Sequence, residues 1–175
     1  MGVVLVNRLP DLLNTYLDQG LISSKRRTTF HLKTLFNGLK FDFVLLHNSV
    51  NDLDKEACVG LATNWEYQER YCSLFKKMYE MMSPNAILMA CDCSSKNFFP
   101  RLGLKNPFWK SIEWHNHQPP EQWIDLLRRV SFTQPRIRWS SYNFLFTPGR
   151  ILTGNRFVSY FLLSHFSLTM VKEPT

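Results

Sequence analysis

Two short apolar runs separated by a long amphipathic stretch constrain the fold of this chain most strongly. Residues 41–46 and 86–91 are rich in β-branched, aromatic and other apolar side chains, which is typical of buried strands. Between them, residues 65–82 place apolar side chains at helical spacing, and Ser83-Pro84-Asn85 ends that pattern. A strand, a helix and a second strand in this order predict a parallel β-α-β unit.

The rest of the chain continues the alternation of strand and helix patterns. The sequence predicts further strands at residues 2–6, 28–32, 135–139 and 166–171, and further helices at residues 9–20 and 121–130. Residues 149–160 are ambiguous, with a helix as one interpretation. We therefore expect a single α/β domain over residues 1–175, with a sheet covered by helices on both faces.

Composition limits the classes of protein to which the chain can belong. The hydrophobic content of 45% and the charged content of 20% are ordinary for a globular domain. No apolar run reaches the roughly 18–20 residues of a membrane-spanning helix, and the first residues lack the pattern of a signal peptide. Four cysteines without signs of secretion fit the reduced thiols of a cytoplasmic protein.

Net charge gives only weak information about partners. The formal charge of +7 permits an acidic partner such as nucleic acid. The clearest basic cluster, residues 25–27, is short, and the other positive charges are scattered along the sequence. A solvated basic surface is therefore the preferred interpretation, and nucleic-acid binding is not expected.

Polar side chains follow three of the predicted strands directly. They are Asn7, the pair His47 and Asn48, and Asp92. Because ligands in open α/β sheets bind beyond the carboxyl ends of the strands, we expect these side chains to converge on one crevice. His47 could act there as a general base or hydrogen-bond a loop, and Asp92 could take a proton or form a turn.

The long loop after Asp92 supplies further candidates. Trp114 could stack on a planar substrate, and Glu113 or His117 could take part in acid–base chemistry. The alternative is an aromatic loop with a purely structural role.

Asn51, Asp52 and Asp54 follow the strand at residues 41–46. Asn51 is a candidate for substrate binding, whereas Asp52 and Asp54 are expected to cap the next helix, a position that Asp favours.

A zinc site is the other chemistry that the sequence suggests. Cys91, Cys93, His115 and His117 together offer two sulfur and two nitrogen donors. The cysteines are separated by one residue, whereas paired zinc cysteines are usually separated by at least two. No metal site is therefore predicted.

Several motifs, taken in order, resemble those of the class I S-adenosylmethionine-dependent methyltransferases. Residues 41–49 are similar to the family's fourth strand and the polar turn after it, and residues 81–88 to its next helix, Pro-Gly turn and fifth strand. Asn85 stands where glycine is usual, and Ser131-Phe132 resembles the small-residue and phenylalanine pair that ends the following helix. The last two predicted strands would be the family's closing antiparallel pair.

This resemblance implies a Rossmann-like, mostly parallel sheet with an antiparallel edge strand. It also implies S-adenosylmethionine as cofactor and methyl transfer to a small-molecule acceptor. The residues carried over are His47 and Asp92 as catalytic groups, Asn7, His47 and Asn48 at the cofactor, and Asn51, Glu113, Trp114 and His117 at the substrate.

The sequence departs from the family at its beginning. It contains no G-x-G pattern, and residues 2–6 resemble the second strand, so the first β-α unit with its Gly-rich loop is expected to be missing. The acid that usually follows the second strand is replaced by Asn7. The alternative function is a catalytically inactive module that binds a partner protein. A homodimer or a complementing chain would then fill the open position in the sheet.

Overall fold

The computed structural model describes residues 2–6, 40–107, 112–139, 155–162 and 164–174, with residues 2–6 described by their backbone. The helix predicted at residues 9–20, the strand predicted at residues 28–32 and Asn7 lie outside the described residues.

The described residues form five strands, five α-helices and a short 3₁₀ helix at Trp114–Asn116. The strands are β1 (Gly2–Val6), β2 (Phe41–His47), β3 (Met82–Cys93), β4 (Phe132–Trp139) and β5 (His165–Lys172). The helices are α1 (Lys55–Gly60), α2 (Trp65–Glu80), α3 (Phe98–Arg101), α4 (Pro120–Arg129) and α5 (Arg156–Phe161).

All five strands belong to one sheet in the order β1-β2-β3-β5-β4. β2 and β3 are parallel, as the pattern around residues 41–91 predicts, and β5 runs antiparallel between β3 and β4. β2, β3 and β4 therefore point the same way. This arrangement confirms the predicted mixed α/β fold and its closing antiparallel pair.

β1 differs from the expectation in direction. The sequence places residues 2–6 as a strand of a parallel sheet, but β1 is antiparallel to β2, with Gly2 opposite His47 and Val6 opposite Phe43. The carboxyl end of β1 therefore lies at the opposite end of β2 from His47, which removes the argument that placed Asn7 in the same crevice. β1 also gives β2 a ladder partner on the side where an open position was expected.

Two residues of the motifs quoted above, Asn85 and Ser131, have left-handed backbone. Asn85 has φ 61° and Ser131 has φ 70°, a region in which most side chains are strained and Asn is tolerated best. Asn85 lies between α2 and the regular pairing of β3 with β2, and Ser131 joins α4 to β4. Glycine would adopt this backbone without strain at either position.

The described core lies on one face of the sheet, which α1, α2 and α4 cover. Along β5, Phe166, Leu168 and Met170 are buried while the residues between them are half-buried, as expected for a strand with one protected face. Trp123 of α4 is fully buried and contacts the rings of Tyr71 and Phe75 on α2, with centroids 5.1 and 6.2 Å apart. The apolar stripe predicted on residues 65–82 is therefore core.

In the part of the chain that the structure describes, no helix is both long enough and apolar enough to cross a membrane.

Candidate functional site

The carboxyl ends of β2 and β3 form the edge of the sheet on which the site is built. His47 pairs with Cys91 across the two parallel strands, and the Asn48 backbone N–H donates to the Cys91 carbonyl at 2.7 Å. The side chains of His47 and Asn48 are exposed there. Asp92 is one residue further along β3 and is only 3% exposed.

Asp92 is a buried carboxylate with one oxygen in use and one unpartnered. Its Oδ1 accepts a hydrogen bond from the Cys93 backbone N–H at 2.8 Å and lies 3.4 Å from Nδ1 of His117. Its Oδ2 is buried and has no hydrogen-bond partner among the described residues. A buried, unpaired carboxylate oxygen is costly unless it takes up a proton or contacts a ligand, so Oδ2 marks this position as a candidate site.

Asn51 connects His117 to the rest of the protein. Its Nδ2 lies 2.8 Å from Nδ1 of His117, and its Oδ1 accepts from the Gln118 backbone N–H at 3.0 Å. Because the backbone N–H fixes which end of the amide is the oxygen, the amide nitrogen must donate to His117. In neutral His117 the proton is then on Nε2, and the imidazole can donate a hydrogen bond from that atom. Asp92 Oδ2 can accept a hydrogen bond, because its lone pairs have no donor among the described residues.

Tyr71 holds the loop that carries Asn51. Its hydroxyl lies 3.1 Å from the carbonyl oxygens of Val50 and Asp54 and 3.4 Å from that of Asn51. Burial raises the pKa of Tyr71, so the hydroxyl stays protonated and can donate. Sequence reasoning assigned Tyr71 to the core and missed this role, although a buried tyrosine hydroxyl generally needs a partner.

Cys58 and Gln118 complete this network and were also missed. Cys58 Sγ lies 3.6 Å from Oδ1 of Asn51 and 3.3 Å from the Asn116 carbonyl oxygen, and Gln118 Nε2 donates to the Cys58 carbonyl at 2.6 Å. Burial raises the pKa of the Cys58 thiol to about 12. These contacts join α1 to the loop at residues 113–118 and thereby fix the position of His117.

One of the two predicted helix caps is confirmed. Asp54 is the N-cap of α1, accepting from the Ala57 backbone N–H at 3.1 Å, and the guanidinium of Arg70 pairs with the same carboxylate at 2.7 Å. Asp52 lies outside the helix and instead forms an ion pair with Lys55 at 3.2 Å.

Trp114 and Glu113 occupy different positions around His117. The Trp114 ring is half-buried with its centroid 6.4 Å from that of His117. Glu113 is exposed and accepts a hydrogen bond from Nδ2 of Asn116 at 2.7 Å. The structure therefore brings Asn51, Asp92 and His117 into direct contact and places Trp114 beside them, while Glu113 lies on the rim of the loop.

The donors considered for zinc do not gather around one point. His117 is engaged with Asn51 and Asp92, and the described residues include no group of three or more His, Cys, Asp or Glu side chains arranged to hold a metal ion. His165 lies opposite Cys93 on β5 and is half-buried, and this burial lowers its pKa although Asp92 acts in the opposite direction.

No protein-family model matches this sequence, and no curated protein sequence is significantly similar to it. Solved structures give similarities of fold. A possible histamine N-methyltransferase from Thermotoga maritima, a SAM-dependent methyltransferase, is 17% identical, with 81% of this chain and 61% of that chain covered and a TM-score of 0.47. A SAM-dependent methyltransferase from Archaeoglobus fulgidus is 14% identical, with 81% of this chain and 63% of that chain covered and a TM-score of 0.48. A SAM-dependent methyltransferase from Methanosarcina mazei is 13% identical, with 97% of this chain and 81% of that chain covered and a TM-score of 0.45.

The chain thus spans about three fifths of the length of the first two of these structures. Their similarity concerns the fold and says nothing about the acceptor or the cofactor of this chain. The order and directions of β2, β3, β5 and β4 define a mixed α/β sheet in which the antiparallel strand β5 lies between β3 and β4.

Proposed function

We propose that this chain takes part in S-adenosylmethionine-dependent methyl transfer to a small-molecule acceptor at the carboxyl ends of β2 and β3. The observation that supports the proposal is the free, buried Oδ2 of Asp92 beside His117. It lies at the edge of the sheet where α/β proteins generally bind their ligands.

The residues at the end of β2 can bind the polar groups of S-adenosylmethionine. The exposed side chains of His47 and Asn48 can hydrogen-bond its hydroxyl and amino groups, and these two residues would hold it at the end of β2. The direction of β1 leaves no argument for Asn7 at this end of the sheet, and the sequence contains no Gly-rich loop that would let the backbone approach the cofactor closely. When bound, S-adenosylmethionine supplies an electrophilic methyl group.

Residues of this chain would orient the acceptor and remove its proton. Asp92 Oδ2 would accept the proton that an oxygen or nitrogen nucleophile loses, and His117 would orient the acceptor by donating from Nε2. Trp114 would stack on a planar part of the acceptor. Asn51 keeps Nδ1 of His117 in the accepting state, so it acts as a positioning residue.

Calorimetric titration with S-adenosylmethionine and its demethylated product tests the proposal. We expect the full chain to bind the cofactor and its product saturably. A double variant, His47→Ala with Asn48→Ala, should bind both ligands more weakly. Asp92→Asn should bind the cofactor unchanged, but with a panel of phenol and amine acceptors it should lose about 100-fold or more of the transfer rate, the range for loss of a general base. Asp125→Asn, at an exposed position on α4, is the matched control. Absence of binding by the folded protein would refute the proposal.

The second candidate function is a non-catalytic module that binds a partner protein. It is supported by the position of β1 at the edge of the described sheet, because the outer backbone groups of an edge strand can pair with another chain. Native mass spectrometry separates the two, since a homodimer or a complementing chain appears directly as added mass.

A further inference from the structure

A cavity of about 360 Å³ lies among residues that the proposed methyl transfer does not use. Three cationic and three aromatic side chains line it: Lys96, Arg101, Arg156, Trp139, Phe157 and Tyr160. They come from the loop after β3, from α3 and α5, and from the last residue of β4. The volume falls in the range of small-molecule sites, roughly 300–1,000 Å³.

The cations of this cavity have too few carboxylates to neutralise them. Lys96 and Arg156 share one partner, Glu121, at 3.3 and 3.1 Å. The Arg101 guanidinium makes no hydrogen bond or ion pair within the described residues. Residues 140–154, which connect Trp139 to the segment bearing Arg156, contain no Asp or Glu. The lining therefore carries an excess of positive charge that favours an anion.

The aromatic side chains add a preference for a flat ring. Phe157 is 73% exposed, so its ring is accessible to a ligand. A planar ligand could stack on Phe157, Tyr160 or Trp139 and remove that apolar surface from water. A guanidinium beside the rings can bind a phosphate through two parallel hydrogen bonds, which a lysine ammonium does not match.

A buried polar network holds the walls of the cavity in place. Ser164 Oγ donates to the Lys96 carbonyl at 2.7 Å, and Asn97, which is fully buried, donates to the Leu162 carbonyl at 3.1 Å and to Ser164 Oγ at 3.0 Å. Asn106 also donates to the Leu162 carbonyl, at 2.7 Å. The loop carrying Lys96 is thus fixed to the end of α5, so binding costs little additional ordering.

We propose that this cavity binds an aromatic phosphate, with the ring against the aromatic side chains and the phosphate on Arg101 and its neighbouring cations. The proposal is independent of methyl transfer, because none of the lining residues belongs to the site at the ends of β2 and β3.

Calorimetric titration of the full chain with 1-naphthyl phosphate tests this site. The probe lacks adenine, so a cofactor site that reads the purine does not account for its binding. Inorganic phosphate and 1-naphthol present the two halves of the ligand separately. We expect one saturable site for 1-naphthyl phosphate, binding at least about tenfold weaker for each half, and an affinity that falls as salt is raised.

Variants of the lining distinguish the cavity from general attraction to a basic protein. Arg101→Ala should weaken binding about tenfold, as expected for the loss of a charged hydrogen bond, and Phe157→Ala should also weaken it. Lys76→Ala removes an exposed positive charge on α2 and should leave binding unchanged. Three results would each overturn the proposal: no binding of 1-naphthyl phosphate, equal affinity of Arg101→Ala and the unmodified chain, or inorganic phosphate binding as tightly as the aromatic ester.

Discussion

At the scale of single residues, the candidate site depends on side chains that the sequence presents as ordinary core. Tyr71 and Cys58 are fully buried, yet both direct their polar atoms at the loop and helix that position His117. A helical apolar stripe identifies such residues as buried, but it does not show where a hydroxyl or thiol at the end of the side chain points. Asn51, Asp92 and His117 were within reach of sequence reasoning because each follows a strand or lies in the loop above it.

Removing the Tyr71 hydroxyl should destabilise the protein. Tyr71→Phe leaves the carbonyl groups of Val50 and Asp54 without this donor, so we expect the free energy of unfolding to fall by about 1–2 kcal/mol. Tyr67→Phe is the matched control, because the Tyr67 hydroxyl makes no hydrogen bond within the described residues; it should change stability by less than about 0.5 kcal/mol. Urea denaturation measures both, and equal stability of the two variants would contradict the role given to Tyr71.

The cysteine thiols should react slowly in the folded protein. Burial raises the pKa of Cys91 to about 11 and those of Cys58 and Cys93 to about 12, and it also raises the pKa of Cys72. Because the thiolate is the reactive form, we expect labelling by a disulfide reagent at pH 8 to be far slower than for a free thiol. Unfolding in guanidinium should then release all four thiols at once. Rapid labelling of Cys93 in the folded state would show that its surroundings differ from those described.

At the scale of elements, the residues that begin and end helices were predictable where local chemistry decides. The break in the helical pattern at Ser83-Pro84-Asn85 falls just after the end of α2, and Asp54 caps α1 as expected. Asp52 was indistinguishable from Asp54 in the sequence, since both are acidic and precede the same helix. Asp54 is the one whose side chain accepts from the Ala57 backbone N–H, and it also pairs with Arg70, 16 positions away in the chain.

Two substitutions at Asp54 separate its capping role from its ion pair. Asp54→Ala removes both, so we expect a loss of about 1–2 kcal/mol of unfolding free energy, mainly from the N-cap. Asp54→Ser retains a capping hydroxyl and should lose less than about 1 kcal/mol, because a partly exposed ion pair contributes little. Thermal and urea unfolding measure the difference, and equal losses in the two variants would mean that the pairing with Arg70 dominates.

At the scale of the whole molecule, the sequence patterns predicted where the described strands lie, but they did not predict how every strand pairs. The pairing of β2 with β3 follows from the strand-helix-strand pattern between them, and that of β4 with β5 from the resemblance to the closing pair of the methyltransferases. A five-residue apolar run such as residues 2–6 carries no information about direction, because parallel and antiparallel strands can bury the same side chains. The antiparallel pairing of β1 with β2 was therefore beyond what residues 2–6 could predict.

The pairing of β1 determines whether β2 is protected on both sides, and amide hydrogen exchange can test this. β3 lies between β2 and β5, so its amides should exchange slowly along the regular pairing at residues 87–93. If β1 covers β2 as described, the β2 amides that face β1 should also be protected, although less strongly because β1 is the edge strand. Exchange of every second amide in Phe41–His47 at the rate of a loop would instead mean that β2 has an open side. That side would be available to a complementing chain, and the result would favour partner binding over a sheet in which β1 covers β2.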